Sequence, residues 1–119
     1  MDTRLDTSII DELLSLCDDG DMGLLVELID MFLDDAPSKI DAIIQGATGD
    51  DMEAVERAAH SLKGSSGNLG ATELMDVAEQ LQLASREGTT ERVRELVPSL
   101  ESNYTAADAA LRELKSNYS

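Results

Sequence analysis

The chain has 119 residues, 25 of them acidic and nine basic, which gives a formal charge of -16. That length suits a single domain over residues 1–119 with one hydrophobic core. The charge repels phosphate backbones and anionic lipid, so nucleic acid and membrane surfaces are not the expected partners, and a protein is. Two Tyr, one Phe and no Trp leave the apolar volume to Leu, Ala, Met, Ile and Val, the composition of an all-α domain.

Five helices are predicted. The first begins after Thr7 or Ser8 and carries Ile9, Ile10, Leu13 and Leu14 to a turn at Asp18 to Gly20. The second starts at Asp21, places Leu25, Leu28, Ile29, Phe32, Leu33, Ala36, Ile40, Ile43 and Ile44 at helical spacing, and stops near Gly46 to Gly49. Pro37 inside it removes a backbone donor and predicts a kink or break. The third takes Asp50 as N-cap, with Glu53 three residues on, and runs to about Asn68, where Gly70 supplies a left-handed stop. Thr72 opens the fourth, which carries Leu74, Val77, Ala78, Leu81 and Ala84 as far as Gly88. The fifth starts at Thr89 or Thr90 and contains Val93, Leu96, Val97, Leu100, Tyr104, Ala107, Leu111 and Leu114, with a bend expected at Pro98. Four long amphipathic helices joined by short turns pack most economically as an antiparallel up-down-up-down four-helix bundle, the additional short N-terminal helix covering one end or side.

The single Cys17 has no intramolecular disulfide partner and the N-terminus lacks a signal-peptide pattern, so a cytoplasmic location is expected. No apolar stretch approaches the roughly 20 residues of a membrane span. The acidic run Asp18-Asp19-Gly20-Asp21 does not extend to a calcium loop, because Gly20, Met22 and Ile29 fall where oxygen ligands are needed. No metal site is expected in the chain.

The informative segment is His60-Ser61-Leu62-Lys63-Gly64-Ser65-Ser66-Gly67-Asn68-Leu69-Gly70, which sets the only histidine beside a lysine and two glycines inside a helical run. Glycine in a helix interior costs about 1 kcal/mol relative to alanine, so these need a helix end or a close approach by another body. On a helical wheel Met52, Val55, Ala59, Leu62 and Ser66 form the core stripe, the Ser66 hydroxyl bonding back to a carbonyl one turn earlier. His60 lies outside that stripe, with Glu56, Arg57, Lys63, Gly64 and Gly67 as its neighbours. An imidazole is ordinarily neutral and nucleophilic near pH 7, a lysine one turn away offers positive charge to an anion on that ring, and bare glycines admit a second protein surface. These are the requirements for passing a phosphoryl group between macromolecules. Ile10 and Leu13 of the first helix are further candidates for the docking patch.

At these residues the chain resembles the histidine-containing phosphotransfer (HPt) domains of multistep two-component phosphorelays. His60 to Ser66 followed by Leu69-Gly70-Ala71 is similar to that family's motif, and so are the preceding Ala58-Ala59 and, in the second helix, Phe32 to Pro37. The resemblance covers nearly the whole chain, since the family fold is a four-helix bundle with an extra N-terminal helix. It implies that His60 is phosphorylated, that Lys63 steadies the phosphoryl group and that Gly64 makes room for a receiver domain. It also implies a monomeric phosphohistidine carrier without kinase or phosphatase activity of its own and without a bound cofactor, the Mg²⁺ residing in the partner receiver. Chemotaxis-type histidine kinases have a similar domain with a glutamate on the following helix that hydrogen-bonds the histidine; the corresponding residue here is Gln82, which orients an imidazole without raising its basicity. Three readings stay open: a relay between receiver aspartates, the phospho-accepting domain of a chemotaxis-type kinase, and an acidic helical adaptor without chemistry.

Overall fold

In a computed structural model the described residues are 5–15 and 23–118, without the side chains of Thr7, Leu13, Leu14 and Tyr118. Five helices follow in chain order, α1 (Thr7–Ser15), α2 (Gly23–Gly49), α3 (Met52–Asn68), α4 (Thr72–Arg86) and α5 (Thr90–Tyr118), and no strand occurs among the described residues. The turn expected at Asp18 to Gly20 and the helix start expected at Asp21 lie outside the described residues. Each of α2 to α5 packs on its neighbours in the chain and α5 closes back on α2, giving the antiparallel four-helix bundle.

Aliphatic residues at alternating spacings of three and four build the core. Leu25, Ile29, Phe32, Ala36, Ile40, Ile43 and Ala47 of α2 meet Val55, Ala59 and Leu62 of α3, Leu74, Ala78 and Leu81 of α4, and Val93, Leu96, Leu100, Ala107 and Leu111 of α5. Ser66 joins this stripe fully buried, but its hydroxyl makes no hydrogen bond, so the expected back-bond to a carbonyl is absent. Neither proline breaks its helix; α2 is continuous through Pro37 and α5 through Pro98. Both sit on exposed positions, where the lost N–H faces water and packing on the opposite face holds the helix.

One cap differs from expectation by one residue, while α4 opens at Thr72 as expected. Asp51, not Asp50, is the N-cap of α3, its carboxylate accepting the N–H of Ala54 at 3.1 Å. Asp50 has a φ of 58° and accepts the Thr90 hydroxyl from the start of α5, so a tertiary bond selects between two chemically identical neighbours. The cap of α4 is Ala71, with Thr72 as the first helical residue.

At the end of α3, Gly70 takes a φ of 75° and the N–H of Ala71 reaches the Ser66 carbonyl at 2.9 Å while that of Gly70 reaches Gly67 at 3.1 Å, the paired closure of a Schellman turn. Gly88 ends α4 in the same way, with the same φ. Gly70 has a second duty: its carbonyl accepts the Asp6 N–H at 2.6 Å, and a Cβ on it would lie 2.9 Å from the Asp6 carbonyl oxygen. The N-terminal segment is thereby pinned to the α3–α4 turn. Asp6 in turn starts α1, accepting from the Ser8 N–H at 2.9 Å and from the Ser8 hydroxyl. These bonds hold its carboxyl below the ordinary carboxylate range.

Two consequences are measurable. Gly88→Ala meets open space and should cost only the left-handed backbone penalty, about 1–2 kcal/mol. Gly70→Ala should cost more by urea unfolding, because it also displaces Asp6; equal losses would mean that the Asp6 contact contributes nothing. Because Asp6 has a lowered pKa in the folded chain, its contribution is complete above the unfolded value of 3.8 and is lost as pH falls through the lowered one. Asp6→Asn keeps the acceptor for Ser8, so amide exchange in α1 should lose its acid sensitivity in that variant and retain it in the parent.

Candidate functional site

His60 stands on the exposed face of α3, eight residues before the helix ends, and the position of its ring is set from α4. α3 and α4 run antiparallel, and above their aliphatic seam four residue pairs, three of them joined through both side chains, form successive rungs. Arg86 donates through Nε to Glu56 at 2.9 Å. The Gln82 amide nitrogen lies 3.1 Å from His60 Nδ1. Lys63 Nζ is 3.5 Å from a Glu79 carboxylate oxygen. In the fourth, Met75 lies over Gly67, where a Cβ would stand 2.9 Å from its sulfur.

The second rung is the tightest constraint. Gln82 is only 7 % exposed, and a buried amide without a partner costs roughly 1–3 kcal/mol. His60 Nδ1 supplies that partner, in a direction set by the ring tautomer and the amide's rotation, and the contact ties one ring nitrogen to the protein. The flanking ion pairs neutralise one another, so a basic group stands on either side of the imidazole with its charge already balanced. Lys63 pairs with Glu79 rather than with Glu56 on its own helix, because Glu56 is taken by Arg86. Arg86 itself is absent from the sequence reading. The available signal was its place four residues beyond Gln82 on the same face of α4.

Gly64 is exposed and a Cβ on it would meet nothing within 4 Å, so its bareness serves no internal packing. Gly67 is different. Its missing side chain accommodates Met75, which corrects its expected role as an open docking ledge. Arg57 is exposed and pairs within α3 to Glu53 at 3.1 Å. Ile10 is 7 % exposed and turned inward, which corrects its expected place in a docking patch, and the Leu13 side chain lies outside the described residues. Apolar surface comes instead from α2, where a cleft of about 130 Å³ between α2 and the C-terminal end of α3 is lined by Leu28, Met31, Phe32, Asp35, Ser65, Asn68 and Leu69, with Met31 exposed at its rim.

Among the described residues no three His, Cys, Asp or Glu side chains are grouped to hold a metal ion, and no helix is long and apolar enough to cross a membrane.

The sequence and the fold have known counterparts. The family model described as the Hpt domain matches residues 27–115. The solved structure of histidine-containing phosphotransfer protein B (HptB) from Pseudomonas aeruginosa PAO1 superposes with a TM-score of 0.88 at 23 % identity, covering 100 % of each chain. No curated protein matches the sequence. With α3 and its single histidine inside a family match that spans α2 to nearly the end of α5, the chain belongs to the Hpt domain family and has a histidine phosphotransfer role in two-component phosphorelays.

Proposed function

We propose that the chain is a relay intermediate, in which His60 takes a phosphoryl group from the aspartyl phosphate of one receiver domain and gives it to the aspartate of another. The observation that carries this reading is the rung between a buried Gln82 and His60 Nδ1, which orients an exposed imidazole beside the open backbone of Gly64. An adaptor without chemistry has no use for an oriented ring. A kinase-phosphorylated domain of the chemotaxis type is less well served by an amide, which orients the ring without raising its basicity.

In the forward step the Nε2 lone pair attacks phosphorus, the bond from phosphorus to the aspartyl oxygen breaks, and the carboxylate leaves. The ring proton then resides on Nδ1. A side-chain amide serves both stages of this cycle, since a half-turn about its last bond exchanges NH₂ for C=O. Its oxygen accepts from Nδ1–H during attack, and its nitrogen donates to Nδ1 once that proton has passed to water. Lys63 offers its ammonium to the phosphoryl oxygens, and the receiver brings Mg²⁺ and the in-line geometry. Gly64, Arg57, Glu56 and the α2–α3 cleft form the surface on which the receiver sits. The chain acts as a monomeric carrier in the cytoplasm with no cofactor of its own.

Transfer from a phosphorylated receiver tests the assignment. His60→Gln should take up no label, and label retained by that variant excludes His60 as the acceptor. Lys63→Ala should slow transfer or shorten the phosphohistidine lifetime by less than the loss of His60 does, with little change in the melting curve because its ion pair is loose and open to solvent on the Glu79 side. Gly64→Gln sets two effects against each other. Helix propensity should raise stability by up to about 1 kcal/mol, while the new side chain obstructs the receiver and slows transfer. Normal transfer by this variant would remove Gly64 from the docking surface.

A further inference from the structure

Resting on the reading of His60 as phosphoryl acceptor, we propose that Glu79 sets how long the phosphoryl group stays there, by competing with it for the Lys63 ammonium. The imidazole lies between two ion pairs of unequal quality. On one side the Arg86 guanidinium donates to Glu56 at 2.9 Å through a planar, directional group. On the other, Lys63 meets Glu79 at 3.5 Å, a loose contact between a carboxylate and a point charge on a flexible stem.

Around a neutral ring these four charges cancel. A phosphoryl dianion on Nε2 breaks that balance, and the cation able to answer it is the one with rotational freedom and the weaker partner, Lys63. The Lys63 side chain is only 34 % exposed, its stem covered, whereas Glu79 is 57 % exposed. Glu79 is therefore readily rehydrated when Lys63, three residues beyond His60 on α3, turns away. Every fraction of time Lys63 spends on Glu79 leaves the phosphoryl group without its counter-charge. Glu79 thus touches neither phosphorus nor the ring; it is a positioning residue that keeps the phosphohistidine labile, as a carrier that must give up its cargo requires.

The full chain labelled with phosphoramidate provides the test, the phosphoryl group moving from the reagent nitrogen to His60 as ammonia leaves. Loss of label by hydrolysis breaks the phosphorus–Nε2 bond, water oxygen bonding to phosphorus and a water proton passing to the ring. Followed by ³¹P NMR at low salt, Glu79→Gln should lengthen the half-life about two- to five-fold, the range open to an exposed ion pair, and move the second phosphoryl ionisation to lower pH. In a Lys63→Ala background the same substitution should lengthen it by less than about 1.5-fold, because the partner that transmits the effect is gone. An unchanged half-life in Glu79→Gln, or an equal gain in both backgrounds, would overturn the proposal. Failure of phosphoramidate to label His60 in the unaltered chain would instead overturn the reading on which it rests.

Discussion

The register in which α3 and α4 pair controls the chemistry of the exposed face. Val55, Ala59 and Leu62 meet Leu74, Ala78 and Leu81 in the core, with two alanines where the helices approach each other. Once that seam is packed, the residues just above it are matched one to one, and Gln82 is carried to a place from which water is nearly excluded. An amide there needs a partner, and His60 Nδ1 provides it. On the proposed function, stability and chemistry share this contact: satisfying the amide orients the imidazole through Nδ1 and leaves Nε2 for the phosphoryl group.

The rest of the site follows from what surrounds that contact. Charge on either side is balanced within the α3–α4 ladder, so the imidazole sits in a neutral strip on a strongly acidic molecule. At an ionic strength near 0.15 M the remote carboxylates are screened over about 8 Å, so the pairs beside the ring dominate its field. Gly64 leaves the next turn bare, and the α2–α3 cleft places apolar surface beside it. α1 contributes through its anchor, Asp6 on Gly70, rather than through an inward-turned Ile10.

Much of this was legible in the sequence, for reasons that can be named. Aliphatic residues spaced by three and four located all five helices, and Gly70 and Gly88 marked two helix ends because only glycine takes a φ near 75° without strain. His60, Lys63 and Gly64 stood out because helical spacing and a motif are both local in sequence, and Gln82, across the helix pair, came from the family resemblance, its contact with His60 being the part the structure shows. Features settled between helices were not. The choice of Asp51 over Asp50 as cap depends on Thr90, forty residues from Asp50; Arg86 finds Glu56 thirty residues away; and the space at Gly67 is claimed by Met75. Ser66 failed in the opposite sense, since a local back-bond was expected and the buried hydroxyl makes none.

The position of the phosphoryl group on the His60 ring is the most direct measurement of this account. Long-range ¹H–¹⁵N and ³¹P correlation spectra of the phosphorylated chain distinguish the two nitrogens. The α3–α4 register predicts phosphorus on Nε2, with Nδ1 still coupled to Gln82 and shifted when Gln82 is replaced by Leu. Phosphorus on Nδ1, or ring resonances indifferent to that replacement, would contradict it.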